Sequence, residues 1–267
     1  MNVHNGFAGR EIGAGRGPGA PVPARDIGGG VRAASLLDVL PELGDGLDTS
    51  TWRKARVRSL VQIEAFEPGP WIPHLTRRAG RPQTALLIAS GLLVREVELG
   101  ERCFAELLGG GDLIYPWAPR TGASAPEGRW RALHGGTLAV VDELLLGRIA
   151  PYPSLTLALA RLSARRGRFL AALAITRRLR RVEPRLLFLF ALLAERWGRV
   201  TPEGIVLRLP LNHELLARLI GTRRPAVTTA VGQLRERSML TQLPDGWLLA
   251  SDQTAADALD LPRPTAP

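Results

Sequence analysis

Arg223, Arg224, Thr228, Thr229 and Arg235 crowd guanidinium and hydroxyl groups into one short stretch, with Asn212, His213 and Thr222 just ahead of them. A guanidinium can grip a phosphate, or bond O6 and N7 of guanine together, and hydroxyls and amides serve phosphates and base edges. Spacing decides whether such groups act together. Arg224, Thr228, Gly232 and Arg235 fall at i, i+4, i+8 and i+11 of a helix, while Val227, Ala230, Val231 and Leu234 fall on its other side. An apolar back with a small, polar and cationic front suits a helix laid into a DNA major groove. The same pattern fits an ordinary helical hairpin with a solvated face, so the flanking elements must decide.

Those elements favour the groove reader. Leu215, Leu216, Leu219 and Ile220 recur at helical spacing, Asn212 is placed to cap that helix, and Gly221 supplies the backbone of a tight turn. Beyond Leu240, Pro244-Asp245-Gly246 marks a turn between two apolar runs, a hairpin in the position of a wing. Val206 to Leu209 reads as a short strand. Arg185 to Trp197 is apolar nearly all round, as a buried helix would be, and Gly198 ends it. Glu183-Pro184 breaks the preceding helix and makes Pro184 the first residue of this one. Residues 183–250 thus read as a winged helix-turn-helix.

Upstream, residues 151–182 read as a dimerisation helix running from about Ser154 to Arg181. Leu155, Leu159, Leu162, Phe169, Leu173 and Leu179 form its apolar stripe, and a long helix of this kind packs on its twin in a homodimer. Packing on the protein's own N-terminal domain is the competing reading of that stripe. Nine arginines lie between Arg161 and Arg185, with Glu183 the only acid. Residues 35–150 read as an antiparallel barrel. Ser35 caps a short helix ending near Leu47, and from about Trp52 short alternating runs follow. They are Val61 to Ala65, Leu93 to Leu99 after a Ser90-Gly91 turn, Leu113 to Tyr115, Trp130 to Leu133 and Thr137 to Val141. Asp142 to Ile149 reads as helix. Residues 1–34 form a disordered tail rich in Gly and Pro, in which GAGRGPG lacks the strand and helix a phosphate loop needs. Residues 251–267 form a flexible C-terminal tail.

The net charge of +10 fits a polyanionic partner, and only Lys54 among the 35 basic residues is lysine. No apolar run is long enough to span a membrane, and no secretory pattern opens the chain, so a soluble cytoplasmic protein without membrane partners is expected. Cys103, the single cysteine, excludes an intrachain disulfide and a cluster bound by four cysteines. His74 and His134 have no paired ligand spacing, and no Ser-His-Asp or Cys-His arrangement is present. No catalytic residue, metal ligand or cofactor is therefore assigned, and an enzyme is not expected; a cupin enzyme would need a His-rich cluster that the sequence lacks.

From about Leu36 to Leu249 the sequence resembles the catabolite-activator and Fnr (Crp/Fnr) superfamily of bacterial transcription regulators. LNHELLARLIGTRRPAVTTAVGQLRERSML carries most of the resemblance, and RLLFLFALLAERWGRVTPEGIVLRLPL supports it. The resemblance implies an α+β architecture: an N-terminal cupin-like antiparallel β-barrel of the cyclic-nucleotide-binding type, a long dimerisation helix and a C-terminal winged helix-turn-helix. It implies a sequence-specific DNA-binding regulator acting as a homodimer on double-stranded DNA, with RNA polymerase a candidate partner. The alternative is a sequence-indifferent architectural DNA binder driven by arginine charge.

The family's base-reading positions carry Arg224, Pro225 and Thr229 here. Arg224 keeps the guanine-reading group, Pro225 replaces the usual acid and removes its cytosine contact, and Thr229 can reach a thymine methyl or a phosphate. Arg223 is expected to meet a phosphate, and His213 a phosphate or a backbone group rather than to act in catalysis. In the barrel, Gly111 and Asp112 match the start of the cyclic-nucleotide cassette, but its Gly-Glu-Leu triplet falls on Tyr115, Pro116 and Trp117. Arg120-Thr121 is the nearest substitute for the phosphate-binding arginine. The resemblance therefore implies no cAMP or cGMP binding by the usual mechanism. Tyr115, Trp117 and Arg120 remain as residues of a pocket for an unknown small-molecule effector, with Trp71 and Trp130 as further lining or as core.

Overall fold

The computed structural model describes residues 24–26, 32–73, 83–100, 102–115 and 128–250. Its N-terminal part is an antiparallel sheet. The strands are β1 (Arg25–Asp26), β2 (Arg32–Ser35), β3 (Leu60–Phe66), β4 (Gly69–Trp71), β5 (Gln83–Leu99), β6 (Arg102–Gly109), β7 (Leu113–Ile114) and β8 (Gly128–Asp142). They pair in the order β1-β2-β3-β8-β5-β6, with β4 on β8 and β7 on β5. Closure into a barrel is not among the described pairings.

Three expectations for this part need correction. The sheet begins inside the segment read as a disordered tail: β2 pairs with β3, and Ala33 and Ala34 are buried. Two alanines beside an arginine carry too little apolar pattern to announce a strand. The stretch after Leu47 contains a helix, α2 (Thr49–Arg58), where alternating strands were read from Trp52. The Asp48 carboxylate caps it, accepting the Ser50 and Thr51 amides at 2.9 and 3.0 Å, and only Ala55 of its residues is buried. A helix that buries so little has no periodic stripe to read. The third correction concerns Ser90-Gly91, which is no turn at all.

Those two residues sit within β5, where its register against β8 shifts. Gly91 adopts φ +95°, a conformation that glycine reaches without a Cβ penalty. The irregularity changes which face each residue serves, because side chains alternate along a strand. Before it, Ala85, Leu87 and Ala89 face a cluster with Leu36, Leu37, Val61 and Leu155. After it, Leu92 and Val94 join a second cluster with Phe169, Phe190 and Leu219. Leu86, Ile88 and Leu93 line the opposite side with Phe66, Leu108 and Ala132.

Helices cover the first of these faces. Ser35 caps a single turn, α1 (Leu36–Val39), followed by a 3-10 turn at Pro41–Gly44. Asp142 caps α3 (Glu143–Ile149), its carboxylate accepting the Leu145 amide at 2.8 Å. The long helix α4 spans Pro153–Thr176 and stops short of the expected Arg181. Of its predicted stripe, Leu155, Leu159, Leu162, Phe169 and Leu173 are buried within its own chain, whereas Leu179 lies past the helix end and is half-buried. The next helix, α5 (Val182–Trp197), starts two residues before Pro184, so the proline occupies its third position rather than its first. That first turn has no intrahelical partner for its N–H groups, and proline is tolerated throughout it.

The C-terminal part continues with β9 (Gly198–Thr201), β10 (Gly204–Leu207), α6 (His213–Ile220), α7 (Arg224–Glu236), β11 (Leu240–Leu243) and β12 (Gly246–Leu249). The four strands form an antiparallel sheet in the order β11-β12-β10-β9. Its core is continuous with the N-terminal sheet: Leu92, Val94, Ala105 and Leu107 belong to the same cluster as Leu186, Phe190, Leu216, Val227 and Trp247. Among the described residues no helix is long and apolar enough to cross a membrane.

Candidate nucleic-acid interface

Each element that presents α7 has a local cause. Asn212 caps α6, its Oδ1 accepting the Leu215 amide at 2.8 Å. Gly221 ends α6 in the left-handed region at φ +67°, ψ +46°, and Thr222 N–H then bonds the Ala217 carbonyl at 2.9 Å. Arg223 stands at the N-cap of α7 without a side-chain bond there, Arg224 is its first residue, and Pro225 lies in its first turn, where no N–H is needed. Val227, Ala230, Val231 and Leu234 are buried. Behind them Trp247 of β12 is 1% exposed, its indole N–H donates to the Leu211 carbonyl at 3.0 Å, and its ring lies 5.1 Å from that of Phe190. Leu240 to Leu249 pair as the wing, with Pro244 and Asp245 as its turn.

The opposite face of α7 is open. Arg223, Arg224, Pro225, Thr228, Thr229 and Arg235 are exposed, and Gly232 is half-buried. The guanidinium groups of Arg223, Arg224 and Arg235 have no ion-pair or hydrogen-bond partner among the described residues. Three guanidinium groups along one helix face thus keep their donors free for an anionic partner. The two threonines are partly engaged. Thr228 Oγ1 donates to the Arg224 carbonyl at 3.2 Å, and Thr229 Oγ1 does the same to Pro225. Both side chains remain exposed.

His213 bonds within the domain. Its Nδ1 lies 3.0 Å from Thr228 Oγ1. With the threonine proton directed at the Arg224 carbonyl, the imidazole donates from Nδ1. Nε2 is buried and has no partner among the described residues. The ring lines a cavity of about 170 Å³ between α7 and the wing, with Thr228, Gly232, Arg235 and Gln242 around it. In this geometry His213 ties α6 to α7, and sequence spacing carried no sign of it because its partner lies 15 residues away.

The residues expected to form an effector pocket are only partly described. Trp117 and Arg120 lie outside the described residues, as do Pro116, Thr121 and His74. Tyr115 is 52% exposed, and its hydroxyl lies 2.8 Å from Ser163 Oγ of α4. It borders a mostly apolar cavity of about 130 Å³ with Ala85, Leu113, Val141, Leu146, Leu159 and Ala160. Trp71 and Trp130 do not join it. They pack edge to face, 5.6 Å apart, against the Phe66 cluster on the other side of the sheet. Among the described residues no group of His, Cys, Asp and Glu is placed to hold a metal.

An antiparallel sheet domain, a long helix and a winged helix-turn-helix with an open cationic face define a class of DNA-binding regulators. The comparisons match the C-terminal domain of this chain to a family model and its overall fold to solved structures. Residues 180–254 match the family model of the Crp-like helix-turn-helix domain. Among solved structures, the chain is similar to a CooA double mutant from Carboxydothermus hydrogenoformans, at 17% identity and a TM-score of 0.59, over 83% of this chain and 95% of that one. It is also similar to a cyclic nucleotide-binding domain containing protein from Listeria monocytogenes EGD-e, at 16% identity and a TM-score of 0.60, over 80% and 97%. FixK2 from Bradyrhizobium japonicum matches at 13% identity and a TM-score of 0.56, over 77% and 99%. No curated protein sequence matches. The chain shares the fold of these proteins, and its residues 180–254 form a Crp-like helix-turn-helix domain.

Proposed function

We propose that this protein is a cytoplasmic, homodimeric, sequence-specific transcription regulator that lays α7 in the major groove and acts by binding rather than catalysis. The observation that carries the reading is the open face of α7, where the Arg223, Arg224 and Arg235 guanidinium groups are exposed, without partners among the described residues, over a buried back. Arg224 reads a guanine edge, and Arg223 and Arg235 meet phosphates. Thr228 and Thr229 offer methyl groups to thymine, Pro225 shapes the first turn, and Thr222 and the Asn212 amide N–H₂ lie where the backbone passes. The N-terminal sheet is either a scaffold or the seat of a small effector, the cavity beside Tyr115 being the place for one. RNA polymerase is a candidate partner.

A homodimer needs an apolar surface that the monomer leaves bare, and α4 supports one on a face other than the predicted stripe. Leu157, Ala160, Ala164, Gly167, Ala171 and Ala174 are exposed and follow one another at alternating three- and four-residue steps, the seam of a coiled coil. Leu170 and Ile175, 37% and 64% exposed, flank it.

Selection from random duplex DNA tests the reading. A preferred, two-fold symmetric site is expected, with half-sites about 34 Å apart. Arg224→Ala should relax one symmetric base pair by roughly 1–3 kcal/mol, whereas Arg223→Ala should weaken all sequences alike. Strong, salt-sensitive binding with no preferred site would instead select the sequence-indifferent architectural reading.

A further inference from the structure

One buried carboxylate joins three elements. Asp112, 1% exposed, sits between β6 and β7, where Oδ2 accepts the Gly109 amide at 2.9 Å and the Arg196 guanidinium of α5 at 2.8 Å. Arg166 of α4 stands 3.8 Å from the same oxygen, pairs with Glu106 of β6 at 2.7 Å, and donates to the Leu107 carbonyl at 2.7 Å. The Arg196 guanidinium also lies over the rings of Trp197 and Phe169, 4.3 and 5.5 Å from their centroids. Burial pulls its pKa below the usual arginine range, and the Asp112 charge works against that pull.

A second point of attachment repeats the chemistry on α6. Arg218 pairs with Glu96 of β5 at 2.6 Å. Beside it Arg177, at the C-cap of α4, donates to the Leu219 carbonyl of α6 and the Ala105 carbonyl of β6, at 3.1 and 3.3 Å, and lies over Phe104. Across the junction the acids come from the N-terminal sheet and the arginines from α4 and the winged-helix domain, although Arg218 also pairs with Glu214 of its own helix at 3.1 Å and Arg95 of β5 stands 3.7 Å from Glu106. Buried ion pairs add little net stability over apolar packing, but they tolerate few geometries, because a displaced partner leaves a charge uncompensated.

We propose that Asp112 and Glu96 form a two-point latch that fixes the winged-helix domain on the N-terminal sheet and sets the angle at which α7 leaves α4. The consequence for DNA rests on the DNA-binding reading above. With the angle set, a dimer presents its two recognition helices at one separation, and the second half-site is met at high effective concentration. With the latch open, each helix still reads its own half-site, but that advantage fades.

Asp112→Asn keeps the shape and an acceptor for the Gly109 amide while removing the charge that Arg196 needs. It is combined with Glu96→Gln in the full-length protein, and a swapped pair, Glu96→Arg with Arg218→Glu, serves as the rescue. Amide exchange at residues 177–182 and 102–109 should quicken by about tenfold or more in the double variant, while α7 amides stay protected. Affinity for a symmetric site should fall by about tenfold or more, with single half-site affinity held within about twofold. The single reversal Glu96→Arg should loosen the same segments, and the swapped pair should restore them; this decides the matter if the double variant loses its α7 protection. Unchanged exchange at 177–182, or no rescue by the swap, overturns the latch. Tighter binding of the double variant to the symmetric site overturns the assignment of the latched angle to DNA binding. Failure of the wild-type protein to select any site would remove the DNA reading, and the exchange experiment would still decide the latch.

Discussion

Replacing Gly91 with alanine probes the irregularity that lets β5 serve two cores. The residue holds φ +95°, where an L side chain costs about 1–2 kcal/mol. Its new Cβ would stand 2.6 Å from Phe66 Cζ, 2.9 Å from the Gly135 carbonyl oxygen and 2.9 Å from Gly136 Cα. The ring can tilt, but the two backbone contacts on β8 can relieve themselves only by widening the ladder, an overpacking cost of about 1–3 kcal/mol. Alanine also narrows the unfolded ensemble, which returns roughly 0.4–1 kcal/mol. The net expectation is about 2–4 kcal/mol of destabilisation. For a chain of this size that lowers the melting temperature by roughly 5–12 °C. Calorimetry and urea unfolding monitored by tryptophan fluorescence measure it, with Gly147→Ala, where an added Cβ meets nothing within 4 Å, as the control. A Gly91→Ala protein within about 1 kcal/mol of the wild type would show that the strand rearranges freely there, and the account of how β5 changes face would be wrong.

Further outcomes can be stated briefly. Ala164→Glu, on the exposed seam of α4, should weaken self-association by more than about 100-fold, since two carboxylates would be buried against each other; sedimentation velocity showing an undisturbed dimer would move the interface elsewhere. Trp247→Phe removes the donor to the Leu211 carbonyl and should cost about 1–3 kcal/mol in urea unfolding. Burial pushes the His134 imidazole below its ordinary value, so the unfolded chain takes up that proton first. Its contribution is therefore full above the unfolded value and shrinks as pH falls below about 6.5. The melting temperature should drop between pH 7.5 and 5.5, and more steeply than in His134→Gln; equal slopes would assign the effect to other groups.

The elements nearest α7 were legible because each has its own local signal: the amide acceptor of Asn212, the left-handed Gly221, and the Pro244-Asp245-Gly246 turn. Their geometry comes from a few neighbouring bonds, and the structure reproduces it. The N-terminal sheet was legible as strands but not as a whole. Ser90-Gly91 gave a true signal of backbone irregularity, and only pairing with β8 separates a kink within one strand from a break between two. The apolar pattern of α4 was read correctly as periodic and assigned to the wrong partner, since period alone cannot say which of two apolar faces meets its own chain. Least legible were the Asp112 contacts. Arg196 is 84 residues away in sequence, and nothing about either residue type announces the other.

The passage of β5 from one cluster to another means that the boundary between the two halves does not follow a linker. It runs through the middle of a strand, and Leu92, Val94, Ala105 and Leu107 are N-terminal by sequence yet share their core with the winged helix. A chimera joined in the loop after α4 would inherit a foreign surface against those four side chains. To exchange reading heads between such proteins, the graft would have to carry the β5–β6 hairpin along with the helices that follow it.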